Sequence, residues 1–148
     1  MKNENKSNLL TPRELLSNAE AMYITGNPIM YRAAILEAIT ALEAFVEDTV
    51  FGMLESMLDP LLLKWMRAKS KMDFDSRLTV FTPIATGLEI DKGNSLWKDY
   101  KESKGIRNTI THTGSIASKE QAAFVLKTVN SWLTYLGSTV GIKRSLLD

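Results

Sequence analysis

Apolar positions recur along this chain at spacings of three and four, and nearly every such run opens on a capping residue. In TPRE, Thr11 is placed to cap, Pro12 sits at the first helical position and Glu14 completes a capping box, with Gly26 closing a helix over about residues 12–25. Asn27 and Pro28 repeat the cap-then-proline device and open IMYRAAILEAITALEAFVEDTVFGMLESML, a run rich in Ala, Leu, Met and Glu that predicts a long helix over about 28–57. Asp59 and Pro60 use the device again and start LLLKWMRAK, a short helix followed by the polar break SKMD.

From Asp73, FDSRLTVFTPIATG predicts a further helix ended by Gly87, in which Pro83 either kinks the helix or begins its last turn. EIDKGNS is a turn, and Asn94 or Ser95 caps LWKDYKESKGIRNTITH, a helix stopped by Gly114. SKEQ at residues 118–121 is another capping box, opening a helix over about 119–136 with Phe124, Val125, Val129, Trp132, Leu133 and Leu136 at helical spacing. β-Branched residues are scattered among helix formers rather than alternating, which argues against strands. The pattern predicts an all-α, antiparallel bundle of five to six helices, with a flexible tail over 1–10, one domain over 11–137 and a second tail over 138–148.

Two charges interrupt the oily faces. At about 100° per residue, with Arg107 as zero, Leu96, Tyr100, Ser103, Ile106 and Ile110 fill the arc from about −100° to +20°, so Arg107 points inward. On the long helix, Tyr31, Ile35, Ala38, Ile39, Leu42, Phe45, Val46, Val50 and Met53 share one face, while Glu37, Glu47 and Asp48 lie opposite. Glu43 lies between Leu36, Ile39, Val50 and Leu54 and borders the core. A lone charge there is expensive, so either Glu43 and Arg107 pair across the two helices, or Arg107 lays its stem over apolar surface and Glu43 reaches a lysine. A buried pair would lose about 3–5 kcal/mol on removal of one partner.

Composition narrows the chemistry. The 148 residues suit one domain, and 45% apolar with 24% charged residues is ordinary for a globular chain. A net charge of +1 excludes coating nucleic acid by bulk charge and leaves only a local basic surface. With no cysteine and one histidine, disulfides, thiolate zinc sites and histidine metal clusters fall away, and no metal or other cofactor is expected. The amino terminus lacks an apolar signal segment and no run approaches the roughly 18 apolar residues of a membrane span, which makes the cytoplasm the default location.

The candidate chemistry sits in RNTITH, residues 107–112, where the single histidine falls five positions after an arginine. Lys101, Lys104, Asn108 and His112 form a polar, partly basic stripe beside Arg107, between about +60° and +140° on the same wheel. A histidine at a helix end also stabilises the carboxyl-terminal dipole with no further role. An imidazole to carry a proton and cations to face a phosphate are nevertheless the parts needed for chemistry on a phosphodiester. Arg107 and His112 diverge by about 140° on an ideal helix, a gap that a second copy of the chain would relieve. Gly105 within this helix fits either a close helix approach or a local break, and Trp65, Trp97 and Trp132 suit core or interface anchors better than base-stacking platforms.

RNTITHTG resembles the RNxxxH signature of the HEPN domains, small helical proteins many of which are metal-independent RNases, and AILEAITALEAFVED and NSLWKDY extend the likeness over roughly residues 10–137. The resemblance implies a HEPN-like bundle in which His112 is the acid/base group, Arg107 stabilises the transition state, Asn108 orients them and Glu43 holds the arginine; Lys101 and Lys104, from their place on the wheel, are the candidates to face the RNA. It further implies a homodimer whose two motifs face each other, and attack by a ribose 2′-oxygen that leaves a 2′,3′-cyclic end. The tyrosine that some members carry after the histidine is replaced here by Thr113 and Gly114, so chemistry dependent on it is not implied. Three function classes compete. They are a HEPN endoribonuclease acting as a toxin-like or antiphage effector, with an antitoxin or other partner protein; a non-catalytic HEPN module that binds nucleotide or RNA or scaffolds a partner; and a plain dimerisation bundle.

Overall fold

The caps that punctuate the sequence are made in the structure, and they set where each helix begins. The computed structural model describes residues 9–68 and 73–139. Thr11 Oγ1 accepts from the Glu14 amide at 3.1 Å to open α1 (Pro12–Thr25), which Gly26 ends in the left-handed conformation at φ 80°. Asn27 Oδ1 accepts from the Met30 amide at 2.9 Å to open α2 (Pro28–Leu54), and Asp59 Oδ1 accepts from the Leu61 amide at 2.8 Å at the start of α3 (Pro60–Ala68). Each cap supplies an acceptor to an amide that the helix itself leaves unpaired.

The segment read as one helix from Asp73 to Gly87 is more interesting than a simple kink. Asp73 caps a single turn, α4 (Phe74–Ser76); a π-helical turn over Arg77–Phe81 follows, and α5 (Thr82–Thr86) completes the run up to Gly87. Pro83 has no amide hydrogen and its ring crowds the carbonyl four residues back, so a regular α turn is closed to it. The helix widens just before the proline, and the Thr82 amide donates to the Arg77 carbonyl five residues back.

Asn94, rather than Ser95, caps α6 (Ser95–Thr113) by accepting from the Trp97 amide at 3.1 Å, and Gly114 ends that helix at φ 65°. Ser118 and Gln121 form the full reciprocal capping box, at 3.0 and 3.1 Å, ahead of α7 (Lys119–Thr139). Two boundaries differ from expectation. α2 stops at Leu54 because residues 55–57 wind out through tighter three-residue bonds, from Ser56 to Met53 and from Met57 to Leu54. α7 runs through Thr139, past the expected end at 136. Residues 1–8 and 140–148, which hold most of both expected tails, and 69–72 of the polar break lie outside the described residues.

The described residues form helices and no strand, so the architecture is all-α. α2 is the axis of the bundle. Ile35, Ala38, Ile39, Leu42, Phe45, Val46 and Val50 are buried as the wheel predicts, and Ala34, Ala41, Phe51 and Leu54 are buried on its other faces, against α1, α7 and the α4–α5 run. α7 adds Ala122, Val125, Val129, Trp132, Leu133 and Leu136 to the same core. Trp132 Nε1 donates to the Leu96 carbonyl at 3.0 Å and Tyr135 Oη to the Glu89 carbonyl at 2.7 Å, which fixes the entry to α6 against α7. No helix among the described residues is long and apolar enough to cross a membrane.

The tryptophans separate into different roles, which stability measurements will show. Trp132 is 1% exposed and Trp65, on α3, is 58% exposed. Trp132→Ala leaves a large cavity and an unpaired carbonyl and is expected to cost about 3–5 kcal/mol in denaturant unfolding. Trp65→Ala is expected to shift stability by less than about 0.5 kcal/mol.

Candidate functional site

Because α6 is an unbroken helix from Ser95 to Thr113, the side chains of RNTITH keep their ideal angular order. Ile110, Tyr100 and Ser103 turn into the core and carry Arg107 toward α2 with them. There Arg107 Nη2 lies 3.6 Å from Glu43 Oε1, so the two interrupting charges do face each other across α2 and α6. The pair is looser than a buried bridge. Its side chains are 30% and 39% exposed, the separation exceeds hydrogen-bonding length, and Arg107 Nε is buried without a hydrogen-bond partner among the described residues.

Asn108 is half-buried and His112 exposed, and neither side chain is hydrogen-bonded among the described residues. The imidazole is therefore open to a ligand, on the side of α6 away from the core. Gly105 does not break the helix and has no close neighbour among the described residues, since a Cβ there would meet nothing within 4 Å. Thr109 and Thr113 continue the same exposed stripe and satisfy their hydroxyls on the carbonyls of Gly105 and Thr109, at 3.0 and 2.6 Å.

The lysines are placed differently from expectation. Lys101 and Lys104 do not stand free beside the motif, because both converge on Asp75 in the single turn of α4. Lys101 Nζ lies 2.6 Å from Asp75 Oδ2, Lys104 Nζ lies 3.1 Å from Oδ1, and the Tyr100 hydroxyl donates to Oδ1 at 2.6 Å. The carboxylate is 17% exposed. Burial pushes its acidity toward the neutral form, but the hydrogen bonds from Lys101, Tyr100 and Lys104 together outweigh burial and hold Asp75 below the usual carboxylate range. Burial, the bond to Asp75 and the nearby Glu43 charge drive the Tyr100 hydroxyl in the opposite direction, so it stays protonated and acts as a donor.

Tyr100 thus joins the two halves of one polar patch. Its hydroxyl feels Asp75 and Glu43 on one account and Arg107 on the other, while its ring packs on Phe74, Trp97 and Trp132. Beside the patch, Thr40, Glu43, Ala44, Val46, Glu47, Phe74 and Arg77 line a groove of about 460 Å³ between α2 and the α4 run. Arg77 crosses it to Glu47 at 2.8 Å, with its guanidinium 5.6 Å from the Phe51 ring centroid. Asp75 and Tyr100 were not marked as site residues by the sequence. The one visible cue was an acid in the first turn of the helix that Asp73 opens. Among the described residues no group of three or more His, Asp or Glu comes together as metal ligands would.

Compared with family models, with curated proteins and with solved structures, the chain matches none.

Two outcomes follow from this geometry. The Glu43–Arg107 contact is long and water-accessible, so Glu43→Ala is expected to cost about 0–1 kcal/mol in urea unfolding, well below the loss of a buried pair. Asp75 has a folded pKa below its unfolded one, so its ionised form stabilises the fold. Relative to Asp75→Asn, the wild type should hold its full advantage above the ordinary carboxylate value of about 3.9 and lose it as pH falls from there through the lower folded value. Melting curves of both proteins from neutral pH downward measure this directly.

Proposed function

We propose that the chain is a metal-independent endoribonuclease of the HEPN type, in which RNTITH is the catalytic segment. The observation that carries the proposal is the division of labour along α6: Arg107 is anchored toward α2 beside Glu43, while His112, on the same helix, is exposed and uncommitted. An anchored guanidinium suits a fixed cation for a phosphorane-like transition state, and an accessible imidazole suits proton transfer. The reaction would be attack by the ribose 2′-oxygen on the adjacent phosphate. His112 takes up the 2′-hydroxyl proton, a proton is returned to the departing 5′-oxygen from the same imidazole or its partner's, the P–O5′ bond breaks, and a 2′,3′-cyclic end remains. Asn108, one step around the helix from Arg107, would orient the pair.

A homodimer belongs to the same proposal. The angular gap of about 140° between Arg107 and His112 keeps one motif from closing on a single phosphate without a long reach by the arginine. A two-fold axis near the carboxyl end of α6 would let one protomer's His112 meet its partner's motif. The exposed, small and internally satisfied stripe of Gly105, Thr109 and Thr113 next to His112 leaves room for that approach. An effector role in growth inhibition or antiphage defence, with an antitoxin or other partner protein, extends the same family reading. A non-catalytic module that binds RNA or nucleotide is the alternative.

Purified protein incubated with total RNA and tRNA in EDTA separates the two. His112→Ala is expected to melt near wild type, since an exposed helix-end substitution usually moves stability by less than about 0.5 kcal/mol, while cleavage falls about 10²–10⁴-fold. Arg107→Ala should lose activity as well. Equal cleavage by His112→Ala, or loss of cleavage in EDTA, transfers the assignment to the binding module.

A further inference from the structure

We propose that the Tyr100 hydroxyl and the Lys101 and Lys104 ammonium groups form a phosphate-binding site on α6 that Asp75 fills in the free protein. The proposal deepens the nuclease reading by naming where the RNA backbone is held, and it rests on that reading for the choice of RNA as ligand.

Three donors from one helix face converge on one carboxylate, at 2.6, 2.6 and 3.1 Å. Asp75 brings one negative charge to two ammonium groups, so the cluster remains one charge short of neutrality even when filled. A phosphodiester likewise offers two oxygens that share one negative charge, and the short bonds to Asp75 are of the charge-assisted kind that phosphate also accepts. Tyr100 makes the site demanding. The residue is 2% exposed and stays protonated, so its hydroxyl donates into the site whether or not Asp75 is there. A buried donor without an acceptor is costly, and a phosphate oxygen supplies that acceptor when the carboxylate leaves.

The position fits the path of a strand. Lys104, Asn108 and His112 follow one another at i, i+4 steps, so a backbone held at Lys101 and Lys104 runs along α6 toward the imidazole. Lys101 is the more exposed of the two lysines and meets solvent over nearly half of its side chain, which gives an incoming phosphate a point of entry. Asp75 belongs to a helix of one turn, with Phe74 beside it on the Tyr100 ring, so the exchange asks the Asp75 side chain to turn aside while Phe74 keeps its place. The free protein therefore holds its phosphate site closed with its own carboxylate, and binding an RNA strand requires exchange of one anion for another.

The test uses the full chain in the His112→Ala background, so that RNA stays intact. Binding of a 12-nucleotide single-stranded RNA and of a mononucleoside triphosphate is measured against salt for Asp75, for Asp75→Asn, and for Asp75→Asn with Lys101→Ala and Lys104→Ala. Asp75→Asn is expected to tighten RNA binding roughly tenfold at low salt and to steepen the slope of log affinity against log salt by about 0.7, the one phosphate that the cationic charge released from Asp75 can neutralise on a single strand. The triple change, which also removes the one charge that Asp75 leaves uncompensated, should bring both quantities below the starting values. Melting curves accompany each protein, and a variant that loses its unfolding transition is replaced by Asp75→Ser. An unchanged salt slope in a folded Asp75 variant overturns the proposal and leaves Asp75 as a staple between α4 and α6. Tighter triphosphate binding with no change for RNA overturns the assignment to the RNA surface. Failure of wild-type cleavage with the expected slope change would remove the nuclease reading and keep the phosphate site.

Discussion

Burial of α2 on nearly all its faces is the constraint that the other elements answer to. Ile35, Leu42, Phe45, Val46, Phe51 and Leu54 leave no cheap place for a charge along most of that helix, so ionised groups are confined to the edge where α2 meets α6 and the α4 run. Glu43 and Glu47 sit at that edge, and each is answered by an arginine from a different element, Arg107 and Arg77. The polar patch is thus a boundary effect of the core. What the core excludes collects along one seam, and the seam runs past Tyr100 to the exposed end of α6.

Much of this arrangement was readable in the residues, for local reasons. Caps act within three residues, so Thr11, Asn27, Asp59, Asn94 and Ser118 announce their helices in the sequence itself. The long helix and α6 show their inner faces in their periodicity, and the meeting of Glu43 with Arg107 followed because both faces pointed the same way. How deep that pair would lie was not readable. Depth depends on how closely α4 and α6 crowd the edge of α2, and the separation of 3.6 Å reflects an edge left partly open.

Lys101 and Lys104 show where local reasoning stops. Their wheel position is right, yet their partner lies 26 and 29 residues earlier, across a turn whose path the sequence does not specify. An aspartate at the start of a helix reads as a dipole partner, and only the packing of Phe74 on Tyr100 brings Asp75 over α6. The π turn was hidden for a related reason. Pro83 signals that the helix must adjust, but a kink, a break and a widened turn all satisfy a missing amide hydrogen, and the choice is made by what surrounds it.

That widened turn also makes the chain's length here part of its design. A π turn accommodates one residue more than an α turn, and each residue in a helix corresponds to about 100° of rotation. Between Arg77 and Phe81, then, loss of a single residue would let the helix close into regular α geometry with the turns on either side kept in register. Phe74 and Asp75 would stay against α6 while Thr82 and Ala85 kept their places in the core, because the residue lost is the one that the wide turn absorbs. A deletion in the regular turns on either side has no such slack: it would rotate the segment before it by about 100° and carry Asp75 off α6, so the wide turn is the one place in this run where the length of the chain can change by a residue without loss of the Asp75 contact.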